Sequence, residues 1–290
     1  MEQSYLGESY TAQVARTRTN VYVRNIADNP SLGRTFLTSA EGFTSYYGVP
    51  LLAKGQVKGV LVIFHRELLV PDLEWKNFLE TLAGQAALAV DNASLFEELQ
   101  KTNLDLSLAY DATIEGWSKA LDLRDRETEG HTQRVAELSL RLAKKIGVGD
   151  AECVHIRRGA LLHDIGKMGV PDSILNKAGP LTDEEWEIMH KHPVFAYEML
   201  YPIAYLRPAL DIPYGHHERW DGSGYPRRLL GEQIPLAARI FAVVDVWDAL
   251  TSDRPYRRAW SKKQTLTYME NGSGTQFDPK IQSVFLEMIK

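Results

Sequence analysis

The stretch Ala160-Leu161-Leu162-His163-Asp164-Ile165-Gly166-Lys167 ends an apolar helical run with a histidine and an aspartate side by side. A turn, Met168-Gly169-Val170-Pro171-Asp172, follows directly. A His-Asp pair at the end of a buried helix is costly to desolvate unless something charged binds it. A metal ion is the simplest such partner. For an isolated pair, a histidine that caps helix carbonyls is the commoner explanation, so the metal interpretation depends on further ligands elsewhere in the chain.

Length and composition predict a soluble protein with about two domains. The chain has 290 residues and a net charge of −5, which argues against a nucleic-acid polymer as partner and makes any phosphate recognition local. The one cysteine, Cys153, excludes an internal disulfide and fits a reducing compartment. No apolar run approaches the roughly 20 residues of a membrane span, and no signal peptide opens the chain. We therefore expect a cytoplasmic protein with no membrane partner.

Residues 1 to about 70 predict a β-rich region. Val21-Tyr22-Val23 is a candidate strand, and the apolar runs Val49–Leu52 and Val57–His65 flank a polar turn with a glycine, which is typical of a hairpin. After Pro71 we predict one helix from about Asp72 to about Leu123, because no proline interrupts this segment.

Part of this helix has the spacing of a coiled-coil seam. Apolar residues recur at steps of four and three at Leu82, Ala86, Ala89, Ala93 and Phe96. After Phe96 the seam becomes polar and a neighbouring apolar stripe takes over, which indicates a stutter or a break in the helix. Two interpretations stay open: a helix packed on its own domain, or the seam of a parallel homodimer between a sensor and an effector. We favour the homodimer.

Beyond Leu123 the sequence predicts helices only. Their signals are helical apolar spacing, a capping box at Thr182 and Glu185, and capping residues before the last two helices. The predicted helices are Glu127–Ile146, Ala151–Leu162, one starting at Thr182, Tyr197–Tyr205, Leu236–Leu250, one capped by Ser261 and one starting at Asp278-Pro279.

Further histidines and carboxylates fall where a metal site needs them. The candidate ligands are His131, His163, Asp164, His192, His216, His217 and Asp245. Asp245 lies within the apolar helical run Phe241–Trp247, where a carboxylate needs a charged partner. Imidazole and carboxylate ligands without a thiolate suit iron, manganese or zinc better than magnesium or calcium.

Such a ligand set suits phosphoester hydrolysis. An aspartate that places one oxygen on each of two ions fits a two-metal centre. Lys167, four residues after His163, can stabilise a transferring phosphate or protonate the leaving oxygen. The adjacent His216 and His217 point in different directions on a helix, so we expect each to serve a different metal. A tight loop with the sequence Asp221-Gly222-Ser223-Gly224-Tyr225-Pro226 follows them.

From about Leu108 to the C-terminus the chain resembles the HD-GYP family. The matching motifs are His163-Asp164-Ile165-Gly166-Lys167, Gly224-Tyr225-Pro226, and Asp245 with Asp248-Ala249-Leu250-Thr251-Ser252-Asp253-Arg254-Pro255-Tyr256-Arg257. The resemblance implies an all-α HD-type helical bundle, bearing iron or manganese and acting on cyclic di-GMP.

The same resemblance assigns roles to individual residues. It makes His163, Asp164, His192, His216, His217 and Asp245 metal ligands, with Asp164 as the bridge between two ions and Lys167 in contact with the substrate phosphate. Glu127 and His131 match ligands that some members use for a third ion, so two or three transition-metal ions are expected, iron before manganese. Tyr225, Arg254 and Arg257 fall where the family holds the nucleotide.

The N-terminal part resembles the second half of a GAF sensory domain in Gly42–Leu52, Gly59–Ile63 and Ala83–Ala93. A GAF domain normally has a further helix and strands before this point, so we expect an incomplete pocket and assign it no ligand. The predicted fold class is an α+β partial GAF domain, a long connecting helix and an all-α HD-type bundle. The predicted domains are 1–100, with the start of the connecting helix, and 101–290, the catalytic domain.

These observations predict a metal-dependent phosphodiesterase that hydrolyses cyclic di-GMP to linear pGpG, GMP or both, under control of the GAF-like domain. One alternative keeps the chemistry and changes the substrate to another cyclic dinucleotide or nucleotide. Another is a non-catalytic module that binds cyclic di-GMP or a partner. The intact ligand set with Lys167 argues against the second, and Tyr225, Arg254 and Arg257 favour a dinucleotide.

Overall fold

The computed structural model describes residues 9–28, 41–125, 130–253 and 258–289. The chain divides into two compact units, Met1–Leu106 and Ser107–Lys290. No helix in the described ranges is both long enough and apolar enough to span a membrane.

The first unit contains a three-stranded antiparallel sheet in the order β1-β2-β3. Its strands are β1 (Val21–Val23), β2 (Ser45–Ala53) and β3 (Gln56–His65). The predicted hairpin is confirmed, and its turn residues Lys54 and Gly55 have φ of 50° and 77°. The strand β2 begins four residues earlier than predicted, because Ser45 to Gly48 pair with His65 to Val62.

One helix of this unit was not predicted. α1 (Tyr10–Thr17) begins after Ser9, whose hydroxyl accepts from the Ala12 amide, and it buries only Tyr10 and Val14. These two side chains pack with Tyr46 on one face of the sheet. The next residue in the strand, Tyr47, faces the other side of the sheet, where it packs with Leu79 and Ala83 of the long helix.

The long helix is confirmed as one continuous element, α2 (Leu73–Asp125), of 53 residues. The predicted alternative of a break is wrong, since no interruption occurs along its length. Leu79, Ala83 and Ala87 are buried, whereas the predicted seam lies on a different face, with Leu82 41% and Phe96 59% exposed. α2 therefore packs on its own unit through one stripe and leaves the seam uncovered in the single chain.

Every named element of the second unit is helical. After the end of α2 these are α3 (His131–Ile146), α4 (Asp150–Leu161), α5 (Asp172–Leu175), α6 (Asp183–Met189), α7 (His192–Leu200), α8 (Asp211–Gly215), α9 (Leu236–Thr251), α10 (Lys262–Asn271) and α11 (Pro279–Ile289). The second unit also has 3-10 turns at Ile165–Gly169, Ala204–Ala209 and Gly231–Gln233, and the first unit has one at Ile26–Asp28. The capping boxes at Thr182 and Ser261 form.

The bounds of two helices differ clearly from prediction. α3 starts at His131 rather than Glu127, because Gly130 has a φ of +73° and interrupts helical geometry; residues 126–129 lie outside the described residues. The helix predicted at Tyr197–Tyr205 starts at His192, with Pro193 in its first turn, and ends at Leu200. A proline lacks a backbone donor, so the first turn is where a helix tolerates it.

Candidate metal centre

Three histidines are oriented by backbone carbonyl groups that lie three or four residues earlier in the chain. The Nδ1 atoms of His163, His192 and His216 lie 2.9, 2.7 and 3.0 Å from the carbonyl oxygens of Ala160, Met189 and Ile212. A carbonyl oxygen only accepts, so each Nδ1 carries the proton and donates it. Each ring therefore turns its Nε2 to the opposite side, which is how metal-binding histidines are usually held.

The Nε2 atoms of two of these rings face each other. His192 Nε2 lies 3.4 Å from His216 Nε2, and both rings are buried. With both Nδ1 atoms protonated, two neutral imidazoles would oppose their lone pairs, and a cation between the rings removes this repulsion. The donors present thus fit a metal ion.

Asp164 lies between two groups of candidate ligands. Its Oδ1 is 3.4 Å from His192 Nε2 and 3.7 Å from His216 Nε2, and its Oδ2 is 3.1 Å from His163 Nε2. The ligand atoms of Asp164, His192, His216 and His217 all lie within 4.8 Å of one another, as do those of His131, His163 and Asp245. The Asp164 carboxylate therefore faces both groups, with Oδ1 directed to the first group and Oδ2 to the second.

The electrostatics keep Asp164, His192 and His217 in the protonation states that metals require, whereas at His163 the Asp164 carboxylate outweighs burial and raises the pKa of the imidazole. Burial would raise the pKa of Asp164, but the Lys167 ammonium and the His163 imidazole hold that pKa well below its usual value. Burial lowers the pKa of His192 to about 3 and holds the pKa of His217 well below normal. An ionised carboxylate and neutral imidazoles are the forms that coordinate a metal.

A carboxylate behind His131 orients this ring as well. Asp248 Oδ2 lies 2.7 Å from His131 Nδ1, and Arg134 Nε donates to Asp248 Oδ1 at 2.8 Å. His131 Nε2 is then directed to Asp245 Oδ1 at 3.4 Å. Asp248 was not predicted as a site residue, although its position three residues after Asp245 on α9 places both on one helix face.

Lys167 is held by two carboxylates at the edge of the centre. Its Nζ lies 2.7 Å from Asp164 Oδ2 and 3.1 Å from Asp125 Oδ2. Arg124, the neighbour of Asp125 in the chain, donates to the carbonyl oxygens of Lys167 at 3.0 Å and Val170 at 2.8 Å. The end of α2 thus holds the turn that carries the His-Asp pair. Sequence reasoning missed Asp125, because nothing local relates the end of α2 to Lys167.

The loop after His217 supports this histidine. The buried Glu218 carboxylate accepts from the backbone amides of Arg227 at 2.7 Å and Leu229 at 3.0 Å, which closes the loop around a cis Tyr225-Pro226 bond. The Tyr225 ring stacks on His217 with a centroid distance of 4.7 Å. A cavity of about 490 Å³ opens onto the centre and is lined by both ligand groups together with Lys167, Trp186 and Tyr225.

The HD domain family model matches residues 116–281, which is more than half of the chain. The chain belongs to the HD domain family. A GAF domain model matches residues 2–91, in agreement with the predicted N-terminal sensory region. The HD domain and its buried histidine-aspartate cluster together indicate a divalent metal-binding site.

Curated relatives of the chain are phosphodiesterases of cyclic dinucleotides. It is 37% identical over 234 residues to a 3'3'-cGAMP-specific phosphodiesterase 2 of Vibrio cholerae, covering 80% of this chain and 43% of that protein. It is 40% identical over 176 residues to a cyclic di-GMP phosphodiesterase response regulator of Xanthomonas campestris, covering 60% and 47%. It is 42% identical over 173 residues to a cyclic di-GMP phosphodiesterase of Thermotoga maritima, covering 58% and 46%. The chain thus spans less than half the length of these relatives.

The HD domain brings together all the predicted ligands that lie in the described part of the chain. His216 and His217 lie in the same ligand group, and which metal each of them serves stays a prediction. The predicted ligand Glu127 and the predicted substrate residues Arg254 and Arg257 lie outside the described residues, so their roles stay predictions. Tyr225 lines the cavity.

Proposed function

We propose that this HD domain is a metal-dependent phosphodiesterase that hydrolyses cyclic di-GMP to linear pGpG, GMP or both. The observation that carries the proposal is the position of Asp164, whose two oxygens face two groups of buried ligands. The cyclic-dinucleotide phosphodiesterases among the relatives support the substrate class.

The two ligand groups would each hold one ion, with Asp164 shared between them. The imidazole and carboxylate set suits iron, manganese or zinc, and the resemblance to the HD-GYP family puts iron first and manganese next. In a centre with three ions, His131 would instead join Glu127 to hold the third ion, so that His131 and His163 would serve different metals. Bound ions of this kind lower the pKa of a coordinated water and neutralise phosphate oxygens.

Lys167 supplies the protein's own contribution to the chemistry. Its ammonium group lies at the wall of the cavity between Asp164 and Asp125. There it can contact a phosphate oxygen of the substrate or protonate the leaving oxygen. A pure binding module has no need of such a lysine beside a metal centre. Arg254, Arg257 and Tyr225 are proposed to hold the nucleotide.

The N-terminal GAF-like region is proposed to regulate this activity in response to a ligand that its sequence does not identify. The uncovered seam of α2 supports a homodimer formed through this helix. The single cysteine fits an enzyme that acts in the reducing cytoplasm.

A mixed cyclic dinucleotide is a second candidate substrate. The relative that matches over 80% of this chain is a 3'3'-cGAMP-specific phosphodiesterase. The chemistry at the phosphate would be the same, so only the contacts to the bases would distinguish the two substrates.

Hydrolysis of purified cyclic dinucleotides by the anaerobically prepared protein tests the proposal. We expect the metal-loaded protein to cleave cyclic di-GMP, and Lys167→Ala to lower kcat at least about a hundredfold while its metal content stays near that of the wild type. Lys145→Ala, which removes an exposed lysine of α3, is the control. Wild-type turnover by Lys167→Ala would remove the role of this lysine. No cleavage of any cyclic dinucleotide by the metal-loaded wild type would contradict the function itself.

A further inference from the structure

A row of four aromatic rings runs from the protein surface to the metal centre. The ring centroids of Trp186 and His190 are 5.3 Å apart, those of His190 and Tyr225 are 4.2 Å apart, and those of Tyr225 and His217 are 4.7 Å apart. The successive interplanar angles are 36°, 36° and 26°. The row begins at a proposed metal ligand and ends at an indole.

The indole at the outer end has free surface. Trp186 is 46% exposed, and it lines the same cavity as the candidate metal ligands. Tyr225, in contrast, already stacks on two imidazoles. Of the rings in this row, Trp186 is therefore the one best able to accept another flat ring.

The surface beside Trp186 carries two carboxylates, Asp183 and Glu187. Asp183, Trp186, Glu187 and His190 lie on one face of α6 and its end, at spacings of three and four residues, and together they line a shallow depression. An ionised carboxylate only accepts hydrogen bonds. The pairing edge of guanine offers two adjacent donors, N1–H and the N2 amino group, which one carboxylate can accept together. Adenine has an acceptor at N1, which would face the carboxylate unfavourably.

We propose that Trp186 is the stacking platform for one guanine of the substrate and that Glu187 accepts hydrogen bonds from the edge of this base. This inference rests on the proposed function and adds to it the residues that choose the base. A guanine in this position extends the aromatic row by one ring. It lies at the mouth of the cavity, and the phosphates of the substrate reach the metal centre inside the same cavity. Stacking holds the base, and the carboxylate distinguishes guanine from adenine.

Binding of GMP and AMP, measured by calorimetry on the metal-loaded protein, tests the platform directly. We expect Trp186→Ala and Trp186→Leu to weaken GMP binding about tenfold and to raise KM for cyclic di-GMP by a similar factor, because an aliphatic side chain does not replace base stacking. The value of kcat and the metal content should stay near those of the wild type. Trp117→Ala is the matched control, since Trp117 is 40% exposed and does not line the cavity.

The choice of base is tested with Glu187→Gln. We expect this variant to lose most of the preference for GMP over AMP, whereas Glu198→Gln, an exposed glutamate of α7, keeps it. An amide has both a donor and an acceptor, so it no longer excludes adenine. An unchanged preference in Glu187→Gln would overturn the role of this carboxylate.

Two results would overturn the platform while leaving the proposed function intact. Wild-type GMP binding by Trp186→Leu would show that no aromatic contact to the base is made. A loss of metal from Trp186→Ala that matches its loss of binding would show that the row only supports His217. If instead the metal-loaded wild type neither binds nor cleaves any cyclic dinucleotide, the proposed function fails and this inference falls with it.

Discussion

Asp164 organises the centre because its two oxygens have different surroundings. Oδ1 faces the Nε2 atoms of His192 and His216, and Oδ2 faces His163 and the Lys167 ammonium. The nearby positive charge keeps the carboxylate ionised in spite of its burial. A carboxylate in this position can join two ligand groups that would otherwise be separate.

Gly166, two residues further on, is required by close packing. A Cβ atom added there would overlap the carbonyl oxygen of His192 and lie 2.6 Å from the amide nitrogen of Ala196, both of which are backbone atoms of α7. Backbone cannot move aside as a flexible side chain can. The absence of a side chain at Gly166 thus allows α7, which carries His192, to approach the turn that carries Asp164.

We predict that Gly166→Ala lowers the free energy of unfolding by at least about 3 kcal/mol, because α7 must move away from the turn. The matched control is Gly116→Ala in the exposed interior of α2, where a new Cβ meets nothing within 4 Å. That control should gain about 0.5–1 kcal/mol, since alanine restricts the unfolded chain and favours the helix. Denaturant unfolding of both variants measures the difference. A Gly166→Ala protein as stable as the wild type would contradict this packing.

The histidines and carboxylates of the candidate metal centre could be picked out from the sequence for a physical reason. A buried imidazole or carboxylate needs a charged partner, so His163, Asp164 and Asp245 stand out within apolar helices. The residues behind them do not stand out. Asp125 ends an exposed helix, and its contact with Lys167 exists only after the chain has folded.

At the scale of elements, α2 carries two apolar stripes with different uses. One stripe packs on the sheet of its own unit through Leu79 and Ala83. The seam residues, from Leu82 to Phe96, form the other stripe, in which Ala86 is half-buried and the other four residues are exposed. A long helix with one stripe already buried still has an apolar face for a second copy of the chain.

We predict that Ala93→Glu weakens self-association at least about tenfold, because a charge would enter the seam of a parallel dimer. Ser94→Glu is the control, since it adds the same charge at an exposed neighbouring position that lies off the seam. Light scattering over a concentration series measures both proteins. A wild type that remains monomeric at tens of micromolar, or equal effects of the two substitutions, would contradict the homodimer.

Prediction of the elements succeeded where the apolar pattern was strong. The hairpin, the long helix and the capped helices of the second unit follow from apolar residues that repeat every two residues in strands and every 3.6 residues in helices. α1 was missed because Tyr10 and Val14 alone carry its buried face. The start of α3 was predicted too early, because apolar spacing does not reveal that Gly130 adopts a positive φ.

At the scale of the whole molecule, one helix links the two family regions. α2 begins in the first unit, within the residues that the GAF domain model matches, and ends in the second at Arg124 and Asp125. These two residues hold the turn that carries Lys167. The last residues of α2 are therefore part of the support of the metal centre as well as the end of the connecting helix.

We propose that Asp164 joins two ligand groups into one metal centre that cleaves cyclic di-GMP. Metal analysis and cyclic di-GMP hydrolysis, measured on the same samples of wild type and Asp164→Ala, test it most directly, with Asp150→Ala at a highly exposed surface position as the control. We predict at least two transition-metal ions per chain and active hydrolysis in the wild type and the control, and the loss of both metal and activity in Asp164→Ala. The proposal would be contradicted if the wild-type protein could not be loaded with added iron or manganese. It would also be contradicted if Asp164→Ala kept its metal and its turnover.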